Sequence, residues 1–320
     1  VNRHATDFHS HYVTPDYVAA ARAAGIVEPD GAPGWPNFDL DELLGAMQDR
    51  GIERSVLSVS SPILPVTRGA SDPRLGVVEE LNDFAADAAG RYPERLSFVA
   101  ALPLPDVDAA ATELHRAMDR GALGVIVPTN VQGRYLDDPV LRPLWQALNS
   151  RNGLLLIHPT SPVGWQRTPY GLPAPALEFM FETTRSLAAL LLSNTFDDYP
   201  HMRVVAPHAG GALGGVLDRL RSFLPVIAGG DAAVVDVWDQ RIKRLWFDLA
   251  GAPFPHVVPT IADFVGADRF VYGSDSCWTP GLTIERQLSS IDAASAPDGH
   301  ASWWSLLNTN ARTLMSAQPK

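Results

Sequence analysis

The chain has 320 residues and a formal net charge of −11. That balance argues against nucleic acid and anionic membranes as partners, since both attract basic patches. A lone cysteine, Cys277, excludes an internal disulfide and a multi-cysteine zinc site, and fits a reducing cytoplasm.

The N-terminal Val1-Asn2-Arg3-His4 lacks the apolar run of a signal peptide. Apolar stretches such as 187–192 are too short to span a bilayer. A soluble, cytoplasmic protein is the expectation. Length alone fits two domains, or one barrel of about 250 residues with insertions.

Eight short apolar, β-branched runs recur along the chain: 5–9, 55–59, 96–101, 123–127, 154–158, 203–206, 245–249 and 270–272. Several are almost continuously hydrophobic, as parallel strands buried on both faces should be. Segments with helical spacing lie between them: 40–49, 75–89, 107–120, 140–151, 177–196, 213–224, 256–265 and 283–293. Asp39 and Asp106 stand where N-caps belong, Pro139 suits a first helical turn, and Gly51, Gly121 and Gly153 mark C-termini.

This alternation predicts a distorted (β/α)8 barrel occupying 1–320 as one domain. An open doubly wound sheet would carry a glycine-rich phosphate loop after its first strand. The first strand here ends in histidines, and Gly210-Gly211 and Gly214-Gly215 do not have that spacing. Two long connections, 12–38 and 159–176, follow the first and fifth strands. The second contains Trp165, Pro169 and Tyr170, and Trp165 is a candidate to line a substrate pocket.

In Asp7-Phe8-His9-Ser10-His11 the two histidines share one face of an extended strand. Asp7 and Phe8 read as strand and packing residues. Strand five ends in His158, strand six is followed by His208, and strand eight by Asp275. A barrel brings these ends to one mouth. His9, His11, His158 and Asp275 offer three nitrogens and one oxygen to a divalent cation, leaving a position open. His208 is left over as a general acid or base.

With these motifs in hand, the chain resembles the amidohydrolase superfamily, and within it the aminocarboxymuconate-semialdehyde decarboxylase-like branch. The resemblance rests on Asp7-Phe8-His9-Ser10-His11, Ile157-His158-Pro159, Pro207-His208-Ala209-Gly210-Gly211, Phe247-Asp248-Leu249-Ala250-Gly251 and Gly273-Ser274-Asp275. Leu102-Pro103-Leu104-Pro105 and Tyr170-Gly171-Leu172-Pro173 are further similar to 6-methylsalicylate decarboxylase-like members.

The resemblance implies His9, His11, His158 and Asp275 as ligands of one Zn2+ per subunit, with Mn2+ the alternative. It implies His208 as the residue that works on metal-bound water; in a hydrolytic alternative Asp275 or His208 would shuttle the proton. Arg219 matches a family arginine that reaches a neighbouring subunit's site and holds a substrate carboxylate, which suits its forked guanidinium and implies a homodimer. No lysine lies near strand four to bridge a second metal, so one cation is expected. Where relatives often carry an aromatic-proline pair, this chain has Ser276-Cys277-Trp278.

The expected activity is non-oxidative decarboxylation of a small aromatic or unsaturated carboxylic acid, with the proton delivered to carbon by His208 and metal-bound water. Hydrolysis or hydration of a lactone, amide or unsaturated acid would use the same residues. A catalytically dead barrel would have lost a strand-end ligand, and none is lost.

Overall fold

The structure, a computed structural model, describes residues 3–65, 71–167 and 171–316. Pro169, Tyr170 and Lys320 lie outside the described residues. The expected strands form, in chain order, as β1 (Ala5–His11), β2 (Ile52–Ser58), β3 (Leu96–Phe98) and β4 (Gly124–Pro128). A small hairpin of β5 (Asn130–Val131) and β6 (Arg134–Tyr135) follows. Then come β7 (Leu154–His158), β8 (Arg203–Ala206), β9 (Leu245–Asp248) and β10 (Phe270–Val271).

Excluding the hairpin, eight strands run parallel in two arcs, β1-β2-β3 and β4-β7-β8-β9-β10. Single bridges join the arcs: Ala100 to Val125 on one side, Asp7 to Tyr272 and Ser10 to Ser276 on the other. The result is a (β/α)8 barrel. Every residue of β4 and β7 is buried, which is why these strands read as unbroken apolar runs.

Among the described residues, twelve α-helices surround or extend the strands: α1 (Pro15–Ala23), α2 (Leu40–Arg50), α3 (Pro73–Arg91), α4 (Val107–Asp119), α5 (Arg142–Ser150), α6 (Glu178–Leu192), α7 (Thr195–Asp198), α8 (Leu213–Ile227), α9 (Ala233–Ile242), α10 (Val258–Val265), α11 (Gly281–Ala293) and α12 (Trp303–Ser316). The helices start and stop for local reasons. Asp39 accepts from Glu42 N–H and Asp106 from Ala109 N–H, satisfying donors that the first turn leaves free. In α3 the buried residues Val78, Leu81, Asn82, Ala85 and Ala88 keep helical spacing and turn one face to the strands.

Besides the β5–β6 hairpin, α9 and α12, which the strand–helix alternation does not include, four features differ from the sequence pattern. The 12–38 connection contains α1, capped by the Thr14 side chain, and a tight turn at Pro29–Gly31. Pro139 begins a separate short 3-10 turn before α5. The single helix expected over 177–196 breaks at Ser193, whose hydroxyl takes up Thr195 N–H. Gly153 does not take the left-handed position; Asn152 does, with φ 47°. Gly153 is small because a Cβ there would lie 2.2 Å from Leu148 Cδ1.

Candidate metal centre and active site

β1 presents Asp7, His9 and His11 on one side of its backbone, and the other strand ends converge on them. One donor atom from each of His9, His11, His158 and Asp275 lies within 4.8 Å of the rest. Asp275 Oδ1 is 3.5 Å from His9 Nε2 and 3.3 Å from His11 Nε2. His158 Nε2 is 3.1 Å from His11 Nε2.

Each imidazole is held from its far nitrogen. His9 Nδ1 is 2.8 Å from Asp248 Oδ2, His11 Nδ1 is 3.3 Å from the Ser58 carbonyl, and His158 Nδ1 is 2.7 Å from the Pro159 carbonyl. These contacts assign the proton to Nδ1 and leave the Nε2 lone pairs facing one point. His9 Nε2 is buried and has no hydrogen-bond partner. An orphaned buried polar atom costs about 1–3 kcal/mol. A cation at that point would remove the cost, and three imidazoles with one carboxylate suit zinc or manganese.

The electrostatics divide the cluster. Burial lowers His11 and His208, and with the charges of His11 and His9 it holds His158 well below the ordinary histidine value. Burial also acts to depress His9, but the Asp248 carboxylate outweighs it and lifts the ring to about 9. Burial would raise Asp275, yet hydrogen bonding to His11 and the charge on His9 keep it well below the usual carboxylate range. Neutral His11 and His158 beside an ionised carboxylate are the donor state that a divalent cation needs, and His9 would release its extra proton as a cation binds.

Below the donors the packing is tight. Asp7 accepts from His9 N–H and Ser274 N–H, both at 3.0 Å, and burial lifts its carboxyl to about 6. A Cβ on Gly273 would lie 2.7 Å from His9 Cβ and 3.2 Å from Asp248 Cβ, so only glycine fits there. Above the donors opens a small cavity of about 80 Å3. His158, His208 and Asp275 face it together with Asp30, Ser60, Ser61, Phe179 and Trp278. Asp30, His208 and Asp275 all have positive φ (51°, 51° and 59°), a backbone region that non-glycine residues seldom occupy.

The family profile described as amidohydrolase matches residues 6–313. The chain belongs to the amidohydrolase family.

Among proteins it is similar to, a 6-methylsalicylic acid decarboxylase of Penicillium expansum is 28% identical over 302 residues, 91% of this chain and 90% of that protein. A gamma-resorcylate decarboxylase of Rhodococcus jostii is 31% identical over 293 residues, 86% of each. A crystal structure described as an amidohydrolase II superposes with a TM-score of 0.85 at 32% identity, covering 98% of this chain and 99% of that one. A dihydroxybenzoic acid decarboxylase from Polaromonas, solved with manganese and 2-nitroresorcinol, shares the fold with a TM-score of 0.77 at 21% identity, covering 98% and 96%.

In this amidohydrolase His9, His11, His158, His208 and Asp275 come together. The His208 ring centroid is 5.0 Å from that of His9. Trp165 does not face the cavity. It stands in a short turn and its ring covers Gly31, while Phe179 and Trp278 form the aromatic walls. Arg219 is exposed on α8, with its guanidinium carbon 4.4 Å from the centre of the Phe223 ring, away from its own chain's cavity.

Sequence reasoning missed Asp248, although its motif was in view. Its carboxylate accepts from the His9 ring, from His208 N–H at 2.9 Å and from Ala250 N–H at 3.0 Å, tying a donor to the candidate acid–base residue. An aspartate ending a barrel strand was the available signal. Asp30 was missed as well, since it sits in an aperiodic loop.

Proposed function

We propose that the protein is a metal-dependent, non-oxidative decarboxylase of a small aromatic carboxylic acid. The observation that carries this reading is that His208 lines the same cavity as His158 and Asp275, two members of the His9, His11, His158 and Asp275 donor set. The relatives named as decarboxylases of aromatic acids support the same chemistry. We assign those four residues as ligands of a single cation. Zinc is the first choice for three imidazoles and a carboxylate, and manganese is the alternative on which a related structure bears.

The cation would neutralise the substrate's negative oxygens and stabilise the charge that builds as carbon is protonated. The aromatic and proline walls hold the ring flat and keep bulk water away from the reacting carbon. His208, which burial keeps neutral, would gain a second proton as the substrate's negative charge enters the cavity and deliver it to the carbon that bears the carboxylate. The bond from that carbon to the carboxyl carbon then breaks, its electron pair restores the ring, and CO2 leaves. His208 regains a proton from solvent. Asp248 holds the backbone N–H of His208, which fixes the main chain from which the imidazole projects.

The carboxylate-holding role of Arg219 across a homodimer belongs to the same proposal. Its support is the exposed apolar surface beside it, with Phe223, Val226, Ile227 and Val237 all open to solvent. Replacing Arg219 by alanine should raise KM about tenfold, the value of a lost charge-assisted hydrogen bond, without reducing bound metal. An unchanged KM would end the shared-site idea. We also propose that residues 1–320 act as one unit, with a cytoplasmic location that fits the single cysteine. Among the described residues no helix is long and apolar enough to cross a membrane.

The deciding experiment is incubation of the metal-loaded protein with hydroxybenzoates, unsaturated acids, lactones and amides. Release of CO2 from an aromatic acid is the expected outcome. Turnover of lactones or amides without any CO2 would replace the decarboxylase with a hydrolase.

A further inference from the structure

Among the described residues that line the cavity, Asp30 is the one carboxylate that the proposed reaction does not use. It comes from the loop after β1, yet the loops after β2 and β7 hold it. Ser161 donates to Oδ1 twice, from its backbone N at 3.1 Å and its hydroxyl at 2.5 Å. Ser61 donates to Oδ2 at 2.7 Å. Ser61 N in turn lies 3.3 Å from His158 Nδ1, so a single residue separates Asp30 from the donor set.

A carboxylate can accept about four hydrogen bonds, and this one accepts three from the protein. The remaining capacity is on Oδ2. Among the described residues no cation pairs with Asp30, and none of the described residues around the cavity is arginine or lysine. Burial acts to raise its carboxyl above the ordinary value, and the serine donors only partly reverse that. A tie between loops could be made by a neutral side chain. A charged acceptor, held in a left-handed backbone and left one bond short beside the cavity, fits a ligand that brings a donor.

We propose that Asp30 determines specificity by accepting a hydrogen bond from a hydroxyl or amino group on the substrate ring, and by repelling a second carboxylate at that position. The assignment rests on the decarboxylase reading for the orientation of the ring, whose carboxylate end meets the donor set. Pro29, Pro175, Phe179 and Trp278 supply flat walls for the ring, and Asp30 is the charged acceptor at this edge. Two carboxylates at close range cannot both stay ionised without a counter-charge, so diacids are turned away.

The test separates binding from turnover. Unreactive nitrophenols carrying a hydroxyl, amino, methyl or carboxyl group at each ring position are titrated calorimetrically into the metal-loaded protein. At one position the hydroxyl or amino compound should bind about 10- to 100-fold tighter than its methyl isostere, the ratio that a hydrogen bond to a charged group carries, and the carboxyl compound weakest. Asp30→Asn should cut the ratio below about threefold, because the charge and the free acceptor are both lost. Ser161→Ala keeps the carboxylate and should keep the preference, which distinguishes recognition from loop anchoring. Asp30→Ser replaces Asp30→Asn if the latter does not fold.

Equal affinities for hydroxyl and methyl compounds at every position, or an unchanged ratio in a folded Asp30→Asn, would overturn the assignment. The matching benzoates are assayed for CO2 in parallel. Discrimination without CO2 leaves Asp30 in place and removes the decarboxylase reading. CO2 without discrimination does the reverse.

Discussion

Two buried polar clusters in this barrel have opposite characters. The first joins α3, α4 and the end of β3. Asn82 donates to Glu113 Oε1 at 2.6 Å and to the Ala101 carbonyl at 2.9 Å, and accepts from Ala101 N–H at 2.8 Å. Arg116 closes the other side of Glu113 at 2.6 and 2.8 Å. Its charges are matched, and the side-chain atoms of Asn82 and Glu113 are partnered. The second cluster is the donor set. There three imidazoles crowd one carboxylate, His9 Nε2 has no hydrogen-bond partner, and Asp275 and His208 occupy left-handed backbone. A saturated cluster does its work by existing. An unsaturated and strained one holds capacity for something else.

That contrast can be broken most forcefully at Asp275. Asp275→Asn preserves shape but removes the anionic donor, so turnover should fall by at least about 10^3-fold, with metal content measured alongside. Full activity with bound metal would show that the open cluster is not the site. Glu113→Ala addresses the closed cluster. Arg116 keeps Asp83 as a partner, so the cost falls on the buried Asn82 amide, about 1–3 kcal/mol in a denaturant titration, while metal content per folded molecule stays constant. A stable Glu113→Ala would make the closed cluster dispensable.

Asp248→Asn lies between the two, because it loosens an orienting bond without removing a donor. Cation affinity measured against a competing chelator should drop about 10- to 100-fold. The smallest expected effect concerns Asp30 and pH. Burial raises this carboxyl above its ordinary 3.8, so its contribution to stability is full below that value and is lost as pH rises through the folded pKa. Asparagine carries no such penalty. The melting temperature of Asp30→Asn relative to the parent should therefore rise as pH climbs above the ordinary 3.8 and through the raised folded pKa. A flat difference would place Asp30 in contact with solvent.

The barrel was readable because burial on both faces forces unbroken apolar strands, and because His9 and His11 have the same strand parity. His158, His208 and Asp275 followed from their positions at strand ends. The rest depends on tertiary placement. Nothing in the 12–38 connection has a period that would aim Asp30 at His158; that aim comes from Ser61 and Ser161, which belong to other loops. Trp165 carried the right chemistry for a pocket wall but turns toward Gly31 instead. α9 and α12 do have helical spacing, in Val234, Val235, Trp238 and Ile242 and in Trp303, Leu306, Leu307 and Leu314. A count of eight strand–helix pairs leaves no place for them.

The seam between the first and last strands has a consequence for folding order. Phe8 N–H donates to the Tyr272 carbonyl at 2.9 Å, and Asp275 N–H to the His9 carbonyl at 2.7 Å. These bonds join residues at opposite ends of the chain, the pairings with the greatest loop-closure entropy and so the slowest to form. His9 and His11 stand on one side of that seam and Asp275 on the other. A nascent or partly folded chain therefore has no complete donor set, and uptake of the cation would mark the moment at which the barrel has closed.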